Sequence, residues 1–118
     1  MLSSQNVHLV HDIHQASLFD RPLVFSRCSK LATRQDRFLV FHLDNPQVYA
    51  YLQGHALRLR RMGITHWSMR NLWERLRMDY AVYTNGKPFK LDNNHAPFYS
   101  RLLMESEPEL RGFFEVRG

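Results

Sequence analysis

The stretch DNPQVYAYLQGHALRLRRMGITHWSMRNLWERLRMDYAVY, residues 44–83, predicts two amphipathic helices joined by a short turn. Asn45 is a favourable N-cap, and Pro46 suits the first helical position because its missing N–H would find no partner there. Gly63 is typical of a helix end. Residues recur at helical spacing between these signals, namely Val48, Leu52, Ala56 or His55, Leu59 and Met62. The first helix is therefore expected over 46–62.

The second helix of this stretch is expected over 68–80. Ser68 is the candidate N-cap, and Trp67 and Leu72 flank it at the spacing of a hydrophobic staple. The apolar stripe consists of Met69, Leu72, Trp73, Leu76 and Tyr80. The arginines and Glu74 fall on the other faces of this helix.

Residues 81–91 change the period from helical to extended. Asn85-Gly86 is a strong type I′ turn signal, and it stands between Val82-Tyr83 and the run from Phe89 to Leu91. A small β-hairpin is the expectation here.

A third helix is expected from Asn93 or Asn94 to about Glu105, with Pro97 tolerated in its first turn. Phe98 and Leu102 would form its inner stripe. The closing residues, LRGFFEVRG, fit either a short strand or a docked tail.

The N-terminal third is less readable. The run RFLVFHL at 37–43 fits a strand or a buried helical turn, because periodicity alone does not separate the two in short apolar runs. We treat 1–37 as a variable N-terminal segment and 38–118 as a single helical domain. The expected fold is mostly helical α+β, a three-helix core with a small β-hairpin, in the order of a winged-helix or helix-turn-helix variant.

Length and composition define the broad class. A chain of 118 residues with 44% hydrophobic content is the size of one globular domain. No apolar run approaches the roughly 20 residues that span a bilayer. The N-terminus shows no secretory signal pattern, and the single Cys28 has no partner for an intrachain disulfide. A cytoplasmic protein without membrane association is expected.

The charge distribution points to an anionic partner. The formal net charge is +5, and residues 58–77 hold six arginines against one glutamate, whereas residues 104–118 hold four glutamates and two arginines. The basic central region favours nucleic acid as this partner, because the guanidinium groups of arginine bind phosphate bidentately. Solvated helix faces are the alternative explanation of the same pattern.

In a helix-turn-helix arrangement the third helix would enter the major groove of DNA. Its candidate contacts are Asn94, His95, Tyr99 and Arg101. The candidate phosphate contacts are Arg58, Arg60, Arg61, Arg70 and Arg77. A helical core without a DNA role, in which the Asn pair only caps a helix, explains the same residues.

Metal-dependent chemistry is the weaker alternative. A nuclease would use His66, Asn93, Asn94 and His95, with Asp79, Asp92 or Glu105 on Mg²⁺. These acids are scattered along the chain, and His8, His11 and His14 do not converge on one face of a helix. We therefore predict a non-enzymatic protein with no cofactor and no metal site.

A pattern of residues from Phe41 to Arg117 resembles a family of small, largely uncharacterised bacteriophage and prophage proteins. The shared features are FHLDNPQVY, the central arginine-containing helix, FKLDNN, YSRL and FFEVR. The resemblance implies phage or prophage origin and an intracellular setting. It suggests either a small DNA-binding regulator or a module that binds and inhibits a host or competitor protein, and a homodimer is compatible with both.

Overall fold

The computed structural model describes residues 21–25 and 33–115, and these residues contain four α-helices. We number them α1 (Arg34–Asp44), α2 (Pro46–Arg61), α3 (Met69–Tyr83) and α4 (Ala96–Ser106). Two 3₁₀ turns, Asn93–His95 and Pro108–Leu110, stand before and after α4. Each helix packs against the next, and the second 3₁₀ turn packs against α2 and α4. Consecutive helices therefore enclose the core.

Helix α1 resolves the ambiguity of the apolar run at 37–43. Thr33 is its N-cap, and the Thr33 hydroxyl accepts the backbone N–H of Asp36 at 3.0 Å. Phe38 and Phe41, three residues apart on one helical face, are buried, whereas Leu43 is 77% exposed. The run is one amphipathic helix and not a strand.

Asn45 lies between α1 and α2 and is fully buried. Pro46 takes the first position of α2 as expected, but the Asn45 side chain makes no cap hydrogen bond. Its amide N–H groups donate to the carbonyl oxygens of Val24 at 2.9 Å and Phe41 at 3.0 Å, and its Oδ1 accepts the N–H of Val24 at 2.7 Å. Asn45 thus holds the segment around Val24 against the helices. Leu23, in the same segment, is buried.

The predicted inner stripes of α2 and α3 are confirmed except at two positions, Met62, which is exposed, and Leu59, which is only partly buried. The confirmed buried residues are Val48, Leu52, Ala56, Met69, Leu72, Trp73, Leu76 and Tyr80. Met62, by contrast, is 69% exposed, because α2 ends at Arg61 and Gly63 turns the chain with a φ of 97°. The Ser68 cap is also confirmed, since its hydroxyl accepts the N–H of Asn71 at 3.4 Å.

The predicted β-hairpin is wrong, and with it the α+β, winged-helix-like fold class. Within the described residues there is no strand, only an isolated parallel bridge between Trp67 and Phe114. Asn85 and Gly86 do have positive φ, 55° and 78°, but they end α3, where the Gly86 N–H donates to the Ala81 carbonyl at 2.9 Å. A left-handed Asn-Gly pair closes either a type I′ hairpin or a helix C-terminus.

The start and the inner face of α4 also differ from expectation. Asp92, not an Asn, caps this region, with its carboxylate accepting the Asn94 N–H at 2.9 Å, and α4 itself begins at Ala96 after the 3₁₀ turn. Tyr99 and Leu103 are fully buried. The expected inner residues, Phe98 and Leu102, are only partly buried beside them.

The tail after α4 docks on the core. Leu110, Phe113 and Phe114 are buried, and the Trp67 N–H donates to the Phe113 carbonyl at 3.1 Å. Of the two alternatives for this segment, the docked tail is the one observed up to residue 115.

Candidate nucleic-acid interface

The end of α2 and the start of α3 form a basic surface, which we call the basic end and define as Arg58, Arg60, Arg61, His66 and Arg70. All five side chains are exposed, and no acidic residue occurs between positions 58 and 70. Because the chain reverses at Gly63 and α2 packs against α3, these residues lie at the same end of the helix pair. The arginines at the C-terminus of α2 also interact favourably with the helix dipole.

Arg61 of the basic end pairs with an acidic residue. Its Nη2 and Nε lie 3.0 and 3.2 Å from the two carboxylate oxygens of Glu109, in the second 3₁₀ turn. This hydrogen-bonded pair raises the pKa of Arg61 and lowers the pKa of Glu109. Part of the charge of the basic end is therefore neutralised within the protein.

Arg77 serves a structural role away from the basic end. It is seven positions beyond Arg70 in α3, which corresponds to a rise of about 10 Å along the helix axis. Its guanidinium lies 3.3 Å from Glu74 and donates to the Leu91 carbonyl at 3.3 Å and to the side-chain oxygen of Asn93. These contacts hold the connection between α3 and α4 against α3.

Two of the residues expected to read DNA are inside the protein. His95 is 6% exposed and stacks on Phe41 with ring centroids 4.6 Å apart, while Tyr99 is fully buried against Phe38 at 4.8 Å. Burial lowers the pKa of His95 and raises the pKa of Tyr99, so both are neutral near pH 7. Asn94 and Arg101 are exposed, so two of the four candidate DNA contacts are accessible at the surface.

A groove of about 530 Å³ borders the basic end and shares two residues with it. His66 and Arg70 line it from the α2–α3 side, and Asn93 and Pro97 from the α4 side. The rest of its lining is Trp67, Ser68, Met69, Trp73, Glu74, Ala96, Ser100 and Glu115. The spacing of residues did not indicate this groove, because residues 66–74 and 93–100, which form its two sides, are far apart in the chain.

The residues considered for a nuclease are dispersed. His66 and Asn93 both line the groove, which none of the candidate acids Asp79, Asp92 and Glu105 lines. Asp79 accepts the hydroxyl of Tyr51, and Asp92 caps the 3₁₀ turn. Among residues 21–25 and 33–115 no group of three or more His, Cys, Asp or Glu is placed to hold a metal ion. His8, His11, His14 and Cys28 lie outside the described residues.

Comparisons with protein-family models, with curated proteins and with solved structures give no match to this chain. None of the described helices has the length and apolar character to cross a membrane. The interpretation of the site therefore depends on its own geometry.

Proposed function

We propose that this protein is a small non-enzymatic nucleic-acid-binding protein that contacts phosphates through the basic end. The observation that supports this best is the set of exposed guanidinium groups within residues 58–70, a stretch without a carboxylate. Guanidinium groups bind phosphate oxygens bidentately and release condensed counterions on binding. The resemblance to phage and prophage proteins and a cytoplasmic location both agree with such a partner.

The mode of binding in this proposal is not that of a helix-turn-helix protein. With His95 and Tyr99 buried, α4 does not supply base contacts in the major groove. Phosphate contacts carry little sequence information by themselves. We therefore expect strong salt dependence and weak sequence preference for duplex DNA.

Charge reversal at Arg60 and Arg70 tests the proposal. Both side chains are exposed, so Arg60→Glu with Arg70→Glu should leave the fold intact and abolish binding to a short DNA duplex at low salt. The control is Lys87→Glu with Lys90→Glu, an equal change of net charge beyond the opposite end of α3. Fluorescence anisotropy over a salt series measures the affinity of both double variants for the duplex.

Equal loss of affinity in both double variants would mean that only net charge matters, and the basic end would be rejected as a site. Failure of the unaltered protein to bind any nucleic acid at low salt would reject the proposed function as a whole.

A second candidate, protein binding, is favoured by Met78 and Val82 on the outer face of α3. They are four residues apart, hence neighbours on the helix, and are 69% and 73% exposed. Such a pair suits a partner protein or a homodimer contact. Met78→Lys with Val82→Lys should lower the molar mass in light scattering if a homodimer forms there, and an unchanged mass removes the homodimer.

A further inference from the structure

The groove and the basic end form one continuous surface. His66 and Arg70 belong to both, so a strand whose phosphates lie on the basic end passes the mouth of the groove. Its volume of about 530 Å³ falls within the roughly 300–1,000 Å³ typical of small-ligand pockets. The groove is therefore large enough for a planar ring system delivered by that strand.

The walls of the groove are aromatic and apolar. Both tryptophans of the chain, Trp67 and Trp73, line it, together with Met69 and Pro97. Trp67 is only partly buried, whereas Trp73 is buried and its indole N–H has no acceptor within the described residues. Partly exposed aromatic rings are the platforms on which unpaired bases stack.

The polar groups around these walls match the edge of a base. Arg70 provides N–H donors and Glu115 provides acceptor oxygens, both on exposed side chains. Asn93 adds an amide whose orientation is fixed, because its oxygen accepts from Arg77. Glu74 pairs with Arg77 at 3.3 Å, so its charge is largely compensated. Donors and acceptors side by side are what the Watson–Crick edge of a base requires.

We infer that this groove binds an unpaired nucleobase, so that the protein prefers single-stranded nucleic acid to duplex. The inference rests on the proposed function, because the basic end supplies the phosphate contacts. In a duplex each base is stacked and paired, and extracting it costs a few kcal/mol. A single strand offers its bases without that cost.

Tryptophan fluorescence gives a direct test, because the only two tryptophans of the chain both line the groove. The unaltered protein is titrated with four probes of about 20 nucleotides, which is longer than single-strand sites of typical size, about 4–16 nucleotides. The probes are a DNA single strand, the matching RNA, the DNA duplex, and an abasic strand with the same phosphates and no bases. The DNA and RNA arms also show which sugar the groove prefers.

The expected result is quenching by single strands and binding about tenfold tighter than to the duplex or the abasic strand, the size of one base–aromatic stack. Equal affinity for the intact and abasic strands, or binding without quenching, would overturn the inference and leave the basic end in place. Absence of binding to all four probes would overturn both the inference and the proposed function.

Two variants of Trp67 test whether its ring causes the preference for single strands. Trp67→Ala should lose about tenfold in single-strand affinity with no change for the duplex, whereas Trp67→Phe should retain most of it because a ring remains for stacking. Unchanged single-strand affinity in a folded Trp67→Ala protein would contradict the inference. Should that variant not fold, the abasic comparison on the unaltered protein decides.

Discussion

The basic end and the core between α1 and α4 both contain residues of types that often bind ligands, but in opposite environments. Arg60 and Arg70 are exposed to solvent and stand next to a groove. His95 and Tyr99, equally plausible as ligand contacts by residue type, are packed among aromatic rings, with Trp73 and Tyr99 centroids 5.7 Å apart. The comparison shows that the neighbours of a His or Tyr, and not its chemistry, decide whether it is available to a ligand.

The polar groups of the two regions also differ in their effect on the stability of the fold. The exposed guanidinium groups stay hydrated until a ligand arrives, so they cost the fold little. In the core, the Tyr99 hydroxyl, the Trp73 indole N–H and a ring nitrogen each of His42 and His95 are buried and have no hydrogen-bond partner within the described residues. Burying such groups costs free energy. The aromatic packing around them must supply the compensation.

The largest expected effect comes from removing Tyr99. Tyr99→Ala should lower the free energy of unfolding by about 3–5 kcal/mol, as for other large buried rings, because α1 and α3 lose their contacts with α4. Tyr99→Phe should leave stability equal or slightly higher, since it deletes only a hydroxyl that has no partner in the described part of the chain. Urea denaturation followed by circular dichroism measures both changes.

The two Tyr99 variants also test whether Tyr99 contacts nucleic acid. Tyr99→Phe should bind nucleic acid as the unaltered protein does. A clear loss of affinity in this folded variant would return Tyr99 to the interface and break the contrast between the two regions.

The inner faces of α2 and α3 were predictable because cap residues and apolar spacing agree there. Ser68, Pro46 and Gly63 each carry a local signal that needs no knowledge of the rest of the fold. The Asn85-Gly86 signal is local too, but it permits two outcomes. A helix that ends at Tyr83 precedes it, and Phe89 beyond the turn packs on Tyr80 at 4.9 Å, a contact that spacing does not reveal.

The face of α4 shows a second limit of the sequence. Two adjacent apolar stripes compete, one with Phe98 and Leu102 and one with Tyr99 and Leu103, and a rotation of about 100° separates them. Phe38 contacts a ring of each stripe, Phe98 at 5.0 Å and Tyr99 at 4.8 Å, whereas Trp73 of α3 packs on Tyr99 at 5.7 Å and the second stripe is the fully buried one. The basic end, in contrast, could be predicted from the arginine-rich sequence. The groove beside it could be identified only from the tertiary structure.

A smaller effect is expected from pH. Burial lowers the pKa of His42 and His95 below the ordinary 6.5, so the unfolded chain binds these protons first as pH falls. For His95, Asp92 opposes the shift and Arg37 adds to it. Stability should be full above about pH 6.5 and decline below it until the folded protein also takes up the proton, by at most about 1.4 kcal/mol per pH unit for His95 and by less for His42, which is only partly buried.

His95→Gln checks this pH dependence. Because one of the two titrating groups is gone, the decline between about pH 6.5 and pH 5 should become shallower by up to about 1.4 kcal/mol per pH unit in urea denaturation at constant ionic strength. An identical slope in the variant would show that other groups cause it.

The smallest effect on stability is expected at the ion pair of Arg61 with Glu109. Both side chains are exposed, so Glu109→Gln should leave the melting temperature nearly unchanged. Nucleic-acid binding should strengthen, because Arg61 is released for a phosphate, and the slope of log affinity against log salt should steepen by about 0.7–0.9. Glu105→Gln in α4 is the control, with the same change of net charge on an exposed acid that stands in a different helix from Arg61. An equal gain in both variants would assign the effect to net charge, whereas a gain in Glu109→Gln alone would place Arg61 on the path of the phosphates.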